Sequence, residues 1–133
     1  MCIVLNLLYL MMTNIEILLD AIKEQAEKFL LENGEFAPYA TYVRANGKLT
    51  YISAYSESTD SKEMYDVLLA GAYEDLKDED VRVYAIAMDG KYQGKDVLVT
   101  EFILSPEDRY QQLYPYKIEN KKVIFGENLF KKS

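Results

Sequence analysis

The sequence predicts an α+β fold: an antiparallel sheet of about five to six strands with two helices on one face, in the order α-β-β-α-β-β-β-β. Three observations predict it. Two segments carry apolar residues at helical spacing, six short segments are rich in β-branched and aromatic residues, and most strands follow one another as hairpins. Runs of hairpins without βαβ alternation are typical of antiparallel sheets.

The first helix is expected to begin at Thr13. Thr13 and Glu16 have capping-box spacing, in which each side chain satisfies a backbone N–H of the first turn. Apolar residues then recur at helical spacing as far as Leu30, and Asn33-Gly34 supplies a left-handed stop.

An apolar leader, MCIVLNLLYLMM, occupies residues 1–12. It lacks the positive n-region of a secretory signal and is too short to span a bilayer, so we expect no membrane association. Two interpretations remain. Either translation begins at Met11 or Met12, which the helix start at Thr13 favours, or the leader packs on the body as an extra strand or helix. Residues 13–133 are expected to form a single domain.

The middle of the chain predicts a hairpin followed by a second helix. Residues 39–43 and 49–53 are β-rich, and Asn46-Gly47 between them is a strong hairpin signal. After a polar stretch at residues 56–61, apolar residues from Met64 to Leu76 recur at helical spacing. Gly71 within this helix indicates a close approach between helix and sheet, since glycine otherwise destabilises a helix interior.

The last third predicts strands. Residues 81–88 are apolar on both faces, as in a central strand, whereas residues 89–95 contain two glycines and predict a turn. Further strands are expected at residues 97–104, 113–118 and 123–125. Glu101 interrupts an apolar strand, and we expect its side chain to face outward into solvent.

The amino-acid composition excludes several classes of function. The chain has no histidine and a single cysteine, Cys2. It therefore lacks Ser-His-Asp and Cys-His nucleophiles, His-ligated zinc and internal disulfides. Phosphate-binding glycine motifs are also missing. The formal net charge of −7 opposes binding to nucleic acid and favours basic partners.

Carboxylates remain for chemistry, but none has a spacing that demands a reaction. A pair across a cleft could act as acid and base, yet Glu107-Asp108 and the 78–80 run are typical of solvated turns. Asp89 to Asp96 resembles a calcium loop only loosely, because the alternating oxygen ligands of an EF-hand are missing. We therefore predict no catalytic residues, no metal and no cofactor.

Charge segregation is the first feature that points to binding. Residues 57–80 hold nine acidic side chains against Lys62 and Lys77, whereas residues 109–133 hold six basic side chains against two acidic ones. A solvated helix face is one explanation. The other is an acidic docking surface for a basic protein, formed by the partner-binding residues Glu63, Asp66, Glu74 and Asp75.

Tyrosine is the second such feature, with twelve tyrosines against five phenylalanines. A tyrosine ring with its polar hydroxyl suits interfaces, although cross-strand pairing on a sheet explains most of them. Tyr110, Tyr114 and Tyr116 crowd one segment around a proline, and we predict them as further partner-binding residues.

Three segments also carry a resemblance: FAPYATYV, GKLTYISAYSE and PYKIENKKVIFGENLF. In these, from Asn14 to Phe130, the chain resembles an uncharacterised group of small bacterial α+β proteins. The resemblance implies a bacterial, cytoplasmic setting and supplies no activity. In charge and size the chain also resembles immunity proteins that neutralise toxins.

The combined prediction is a small, acidic, non-catalytic binding protein of the immunity or inhibitor type that docks a basic protein. A regulatory domain that binds a small molecule is the alternative, and a carboxylate-based enzyme is the third interpretation. A deep apolar pocket lined by tyrosines would favour the alternative. The oligomeric state is left open.

Overall fold

A computed structural model describes residues 3–53 and 60–130, with side chains from residue 14 onward. The order of helices and strands is the predicted one. The elements are α1 (Ile3–Asn33), β1 (Tyr39–Arg44), β2 (Leu49–Ser53), α2 (Ser61–Asp75), β3 (Val81–Tyr92), β4 (Lys95–Ser105), β5 (Asp108–Glu119) and β6 (Lys122–Phe125).

Helix α1 begins earlier than the sequence predicts. It is continuous from Ile3 to Asn33, so Thr13 and Glu16 lie inside it and cannot cap its first turn. The capping-box prediction is therefore wrong, because ten further residues extend the backbone hydrogen-bond ladder beyond the expected start. Where translation begins stays a prediction.

All six strands form one antiparallel sheet in the order β2-β1-β3-β4-β5-β6. The predicted hairpin at Asn46-Gly47 is present, with Gly47 at a φ of 84°. Strand β3 continues to Tyr92, so most of the turn predicted at residues 89–95 is strand, and Gln93 and Gly94 make the reversal. Cross-strand pairing with β4 reaches as far as Tyr92 and Lys95, and this pairing keeps the segment extended.

The two helices cover opposite faces of this sheet. One buried cluster joins α1 to the odd-numbered β3 residues Val83, Ala85 and Ala87. A second cluster joins α2 to the even-numbered Tyr84 and Ile86. Successive side chains of a strand point to opposite faces, so the expectation of two helices on one face is not confirmed. The apolar residues on both sides of β3 fit a strand that lies between two helices.

Helix α2 is capped and packs as its sequence predicts. The Asp60 side chain accepts a hydrogen bond from the Lys62 backbone N–H at 2.9 Å, which is an N-cap contact. Leu68 and Ala72 are buried against the sheet. A Cβ placed on Gly71 would lie 3.9 Å from the Tyr84 hydroxyl oxygen, so the helix approaches the sheet here without excluding alanine.

Candidate functional site

The exposed side of α2 carries most of the predicted docking residues. Glu63, Asp66 and Glu74 are exposed, and between them lie Ala70 and Val67, a residue that is 50% exposed. These five residues recur at three- and four-residue spacing, so they share one face of the helix. We call them the α2 stripe: an acidic surface with a small apolar centre.

Within the part of the chain that the structure describes, the carboxylates of the α2 stripe have only weak contacts. Asp66 pairs with Lys62 at 3.5 Å and Glu74 pairs with Lys77 at 2.9 Å, and all four side chains are more than half exposed. Exposed pairs of this kind contribute between zero and about 1 kcal/mol to stability. The stripe is therefore free to exchange these lysines for the cations of a partner.

Asp75 does not belong to this surface. It is half-buried on the flank of α2, where its carboxylate is hydrogen-bonded to the hydroxyl of Tyr84. Burial first, and then the Asp75 charge and this hydrogen bond, raise the pKa of the Tyr84 hydroxyl. Asp75 therefore anchors α2 to β3, whereas the sequence predicted that it faces a partner.

The three predicted tyrosines lie on one face of β5, the face that α1 covers. Tyr114 is buried, its hydroxyl donates to Gln112, and the Lys23 ammonium lies 4.4 Å from its ring centre. Tyr110 is 38% exposed and packs on the Phe102 ring. Because side chains alternate between the two faces along β5, all three tyrosines face the core beneath α1. Tyr110 has the largest exposed fraction of the three.

Tyr116 belongs to a concavity of about 520 Å³ beside the end of α1. Its hydroxyl donates to the Asp89 carboxylate at 2.6 Å, and Glu35, Lys91 and Asp96 also line the space. Burial raises the pKa of Asp89, whereas the hydrogen bonds from Tyr116 and the Phe36 backbone lower it. The lining mixes acids and lysines, unlike the deep apolar pocket that would favour a small-molecule domain.

A metal site is not formed by these acids. Among the residues that the structure describes, no group of three or more histidine, cysteine, aspartate or glutamate side chains is arranged to hold a metal ion. Asp89 lies in β3 and Asp96 in β4, so the loop that loosely resembled a calcium site is a strand pair.

Glu101 is buried, which contradicts the outward orientation expected from the sequence. Its side chain is 6% exposed on the α2 face of β4. Tyr65 of α2 donates its hydroxyl to the two carboxylate oxygens at 2.9 and 2.8 Å, and Gln111 Nε2 donates at 3.0 Å. The guanidinium of Arg109 lies 3.8 Å away. These four residues, which we call the Glu101 cluster, link α2 to strands β4 and β5.

The Glu101 cluster was missed because its members are far apart in sequence. Gln111 faces Glu101 directly across the β4–β5 ladder, and Arg109 is two residues further along the same strand. The polar residues of segment 109–112 were the available signal, since a buried carboxylate needs hydrogen-bond donors or a cation as partners. Only the register and the position of α2 bring Tyr65 to them.

Residues of the predicted charge surfaces that lie outside the described part are Glu57, Lys131 and Lys132. Within the described part, no helix is long and apolar enough to cross a membrane. Comparisons with protein-family models, with curated proteins and with solved structures found no match. The resemblance to small bacterial proteins therefore stays a prediction.

Proposed function

We propose that this chain is a small acidic binding protein of the immunity or inhibitor type, and that the α2 stripe docks a basic protein. One observation carries the proposal: Glu63, Asp66 and Glu74 are exposed around Val67 and, among the residues that the structure describes, pair with no side chains beyond two surface lysines. The half-buried Asp75 and the buried Glu101, in contrast, have partners inside the fold.

The acidic charge also continues beyond the helix. Asp78, Glu79 and Asp80 lie three to five residues after the end of α2 and are exposed, with Arg44 paired to Asp80 at 3.0 Å. Carboxylates grouped in this way raise the local concentration of a cationic partner and speed its association, an effect that salt screens. Val67 supplies apolar contact once the partner has arrived.

The same proposal places the protein in the bacterial cytoplasm, as the family resemblance implies. A catalytic role has less support, because the buried carboxylate of Glu101 is enclosed by Tyr65 and Gln111.

The test is charge reversal with a matched control. The test variant reverses the charge of the α2 stripe with Glu63→Lys, Asp66→Lys and Glu74→Lys. The control variant makes the same change of charge at exposed positions of α1, with Glu16→Lys, Glu24→Lys and Glu32→Lys. Each variant is used to capture partners from the source cell, and the association rate of the recovered protein is measured against ionic strength.

We expect the control to retain a basic partner whose association slows as salt rises, and the stripe variant to lose it. Recovery of the same partners by both variants, with equal rates, would show that the α2 stripe is only a solvated surface. Circular dichroism and thermal melting of both variants show whether the fold is kept.

Small-molecule binding is the second candidate, and the concavity around Asp89 favours it. A half-buried carboxyl with a raised pKa inside a cleft is a feature of ligand and active sites. A ligand that fits this space would raise the melting temperature of the unmodified chain and fail to do so with Asp89→Asn. A ligand screen in which both proteins respond equally would remove this candidate.

A further inference from the structure

The end of the sheet farthest from the α2 C-terminus has a surface of opposite character. Tyr92 and Lys95 pair across the β3–β4 hairpin, and Lys117 pairs with Ile124 across the β5–β6 hairpin. Val97 and Pro115 are paired across β4 and β5. Lys95 lies two residues before Val97 and Lys117 lies two residues after Pro115, so the two lysines lie on the same face of the sheet. Lys122 lies on this face as well, opposite Glu119.

This surface, which we call the cationic sheet face, is also apolar. Ile124 and Phe130 are each 46% exposed, and the Phe130 ring contacts the Tyr92 ring edge-on at 5.8 Å. A concavity of about 450 Å³ is lined by Lys95, Lys117 and Ile124. Helix α2 packs on β1 and β3 and leaves this end of the sheet exposed. Exposed apolar side chains rimmed by polar ones are typical of an interaction surface.

The positive charge of this face favours an anionic binding partner. Lys95, Lys117 and Lys122 are exposed, and Glu119 is the acid paired with Lys117 at 3.3 Å. Nucleic acid carries a dense line of phosphates, whereas this face offers only a few lysines beside the carboxylate of Glu119. A protein surface with a few carboxylates and an apolar centre fits better, because it supplies both kinds of contact.

The chain itself displays such a surface, the α2 stripe. Glu63 and Glu74 are eleven residues apart and so lie about 16 Å apart along the helix. On the cationic sheet face, Lys95, Lys117 and Ile124 lie on three neighbouring strands, which span about 10 Å. A helix laid across these strands with Val67 over Ile124 brings Glu74, seven residues or about 10 Å further along the helix, over Lys95.

We infer that the cationic sheet face binds the α2 stripe of a second copy of this chain. The inference rests on the proposed function, because it uses the same stripe, and it names one partner with a cationic surface that the stripe recognises. The contact joins two different surfaces, so a pair of chains keeps one free stripe and one free sheet face. Such head-to-tail contacts extend into rings or chains of copies.

Two variants separate the surfaces. One variant carries Lys95→Gln and Lys117→Gln, which weaken the sheet face and leave the stripe intact. The other carries Glu63→Gln, Asp66→Asn and Glu74→Gln, which weaken the stripe and leave the sheet face intact. Lys28→Gln with Lys48→Gln is the matched control for the lysines, since both are exposed elsewhere. Masses are measured by analytical ultracentrifugation at low and high ionic strength over a wide range of concentrations.

We expect the unmodified chain and the control to associate beyond dimers at low ionic strength, and each surface variant alone to associate at least about tenfold more weakly. An equal mixture of the two surface variants should form a dimer that grows no further, because only one stripe and one sheet face remain intact. High salt should dissociate all of these assemblies.

A monomeric unmodified chain at low ionic strength would overturn the inference. So would association that survives either surface variant, or a mixture that fails to form the dimer. Binding of a single-stranded oligonucleotide by the unmodified chain, lost in Lys95→Gln with Lys117→Gln, would assign the sheet face to nucleic acid instead. In each case a basic partner captured through the α2 stripe would leave the proposed function standing, so the two failures are distinguishable.

Discussion

Replacing Tyr65 by phenylalanine should destabilise the fold through the Glu101 cluster. The Tyr65 hydroxyl donates to both oxygens of a carboxylate whose side chain is only 6% exposed. A hydrogen bond to a charged group contributes about 1.5–3 kcal/mol to stability. A buried carboxylate that loses a donor cannot replace it with a hydrogen bond from water. Gln111 and Arg109 remain beside Glu101 in the variant. We therefore expect a loss of about 2 kcal/mol in the free energy of unfolding.

The corresponding shift in melting temperature follows from the size of the chain. Unfolding entropy near 60 °C is about 2.1 cal/mol/K per residue, which gives about 0.28 kcal/mol/K for this chain. A loss of about 2 kcal/mol should lower the melting temperature by about 7 °C. Urea denaturation and calorimetry measure the two quantities independently.

Tyr73→Phe is the matched control, because it removes a hydroxyl from the same helix while keeping the ring beside Arg109. We expect it to unfold within about 0.5 kcal/mol of the unmodified chain. In a double-mutant cycle, Tyr65→Phe and Glu101→Gln should couple by about 1 kcal/mol or more. If Tyr65→Phe matches the control, or if the two changes simply add, the Glu101 cluster does not hold α2 to the sheet.

Three further predictions concern stability. Gly71→Ala should raise the free energy of unfolding by about 0.5–1 kcal/mol, because a Cβ fits at 3.9 Å from the Tyr84 hydroxyl and alanine favours the helix; an unchanged or lower urea midpoint would contradict this. Asp89→Asn should gain stability relative to the unmodified chain as pH rises from about 4 to 7, because a raised folded pKa makes ionisation of Asp89 unfavourable to folding; a difference that is constant with pH would refute it. Burial and the hydrogen bond to Glu101 raise the pKa of Tyr65 to about 12, so its stabilising effect should be present below pH 10 and fade as pH rises toward 12; absorbance titration should show one late-ionising tyrosine fewer in Tyr65→Phe.

Local pattern predicted the elements because their signals lie within a few residues. The apolar spacing of α2 and the glycine at position 47 each need only their neighbours to act, and both are found where the sequence placed them. The start of α1 was missed for the same reason. A good capping sequence at Thr13 loses to ten preceding residues that continue the helix.

The residues of the candidate site were likewise predictable from the sequence only in part. Exposure of Glu63, Asp66 and Glu74 follows from helical periodicity once the apolar side of α2 is known. Asp75 could not be separated from them by this means, because its role depends on the Tyr84 hydroxyl of a strand packed below. Tyr114 likewise looked like an anchor until the register of β5 placed it beneath α1.

The sequence by itself determined the order of two helices and six strands, the acidic surface and the absence of histidine chemistry. These depend on composition and on periodicities of two and 3.6 residues, which a single chain carries locally. Only the tertiary structure decided that the helices lie on opposite faces and that Glu101 is buried with Tyr65 and Gln111. Such features depend on which distant residues meet, and contacts between residues 10 or 36 positions apart leave no local pattern to read.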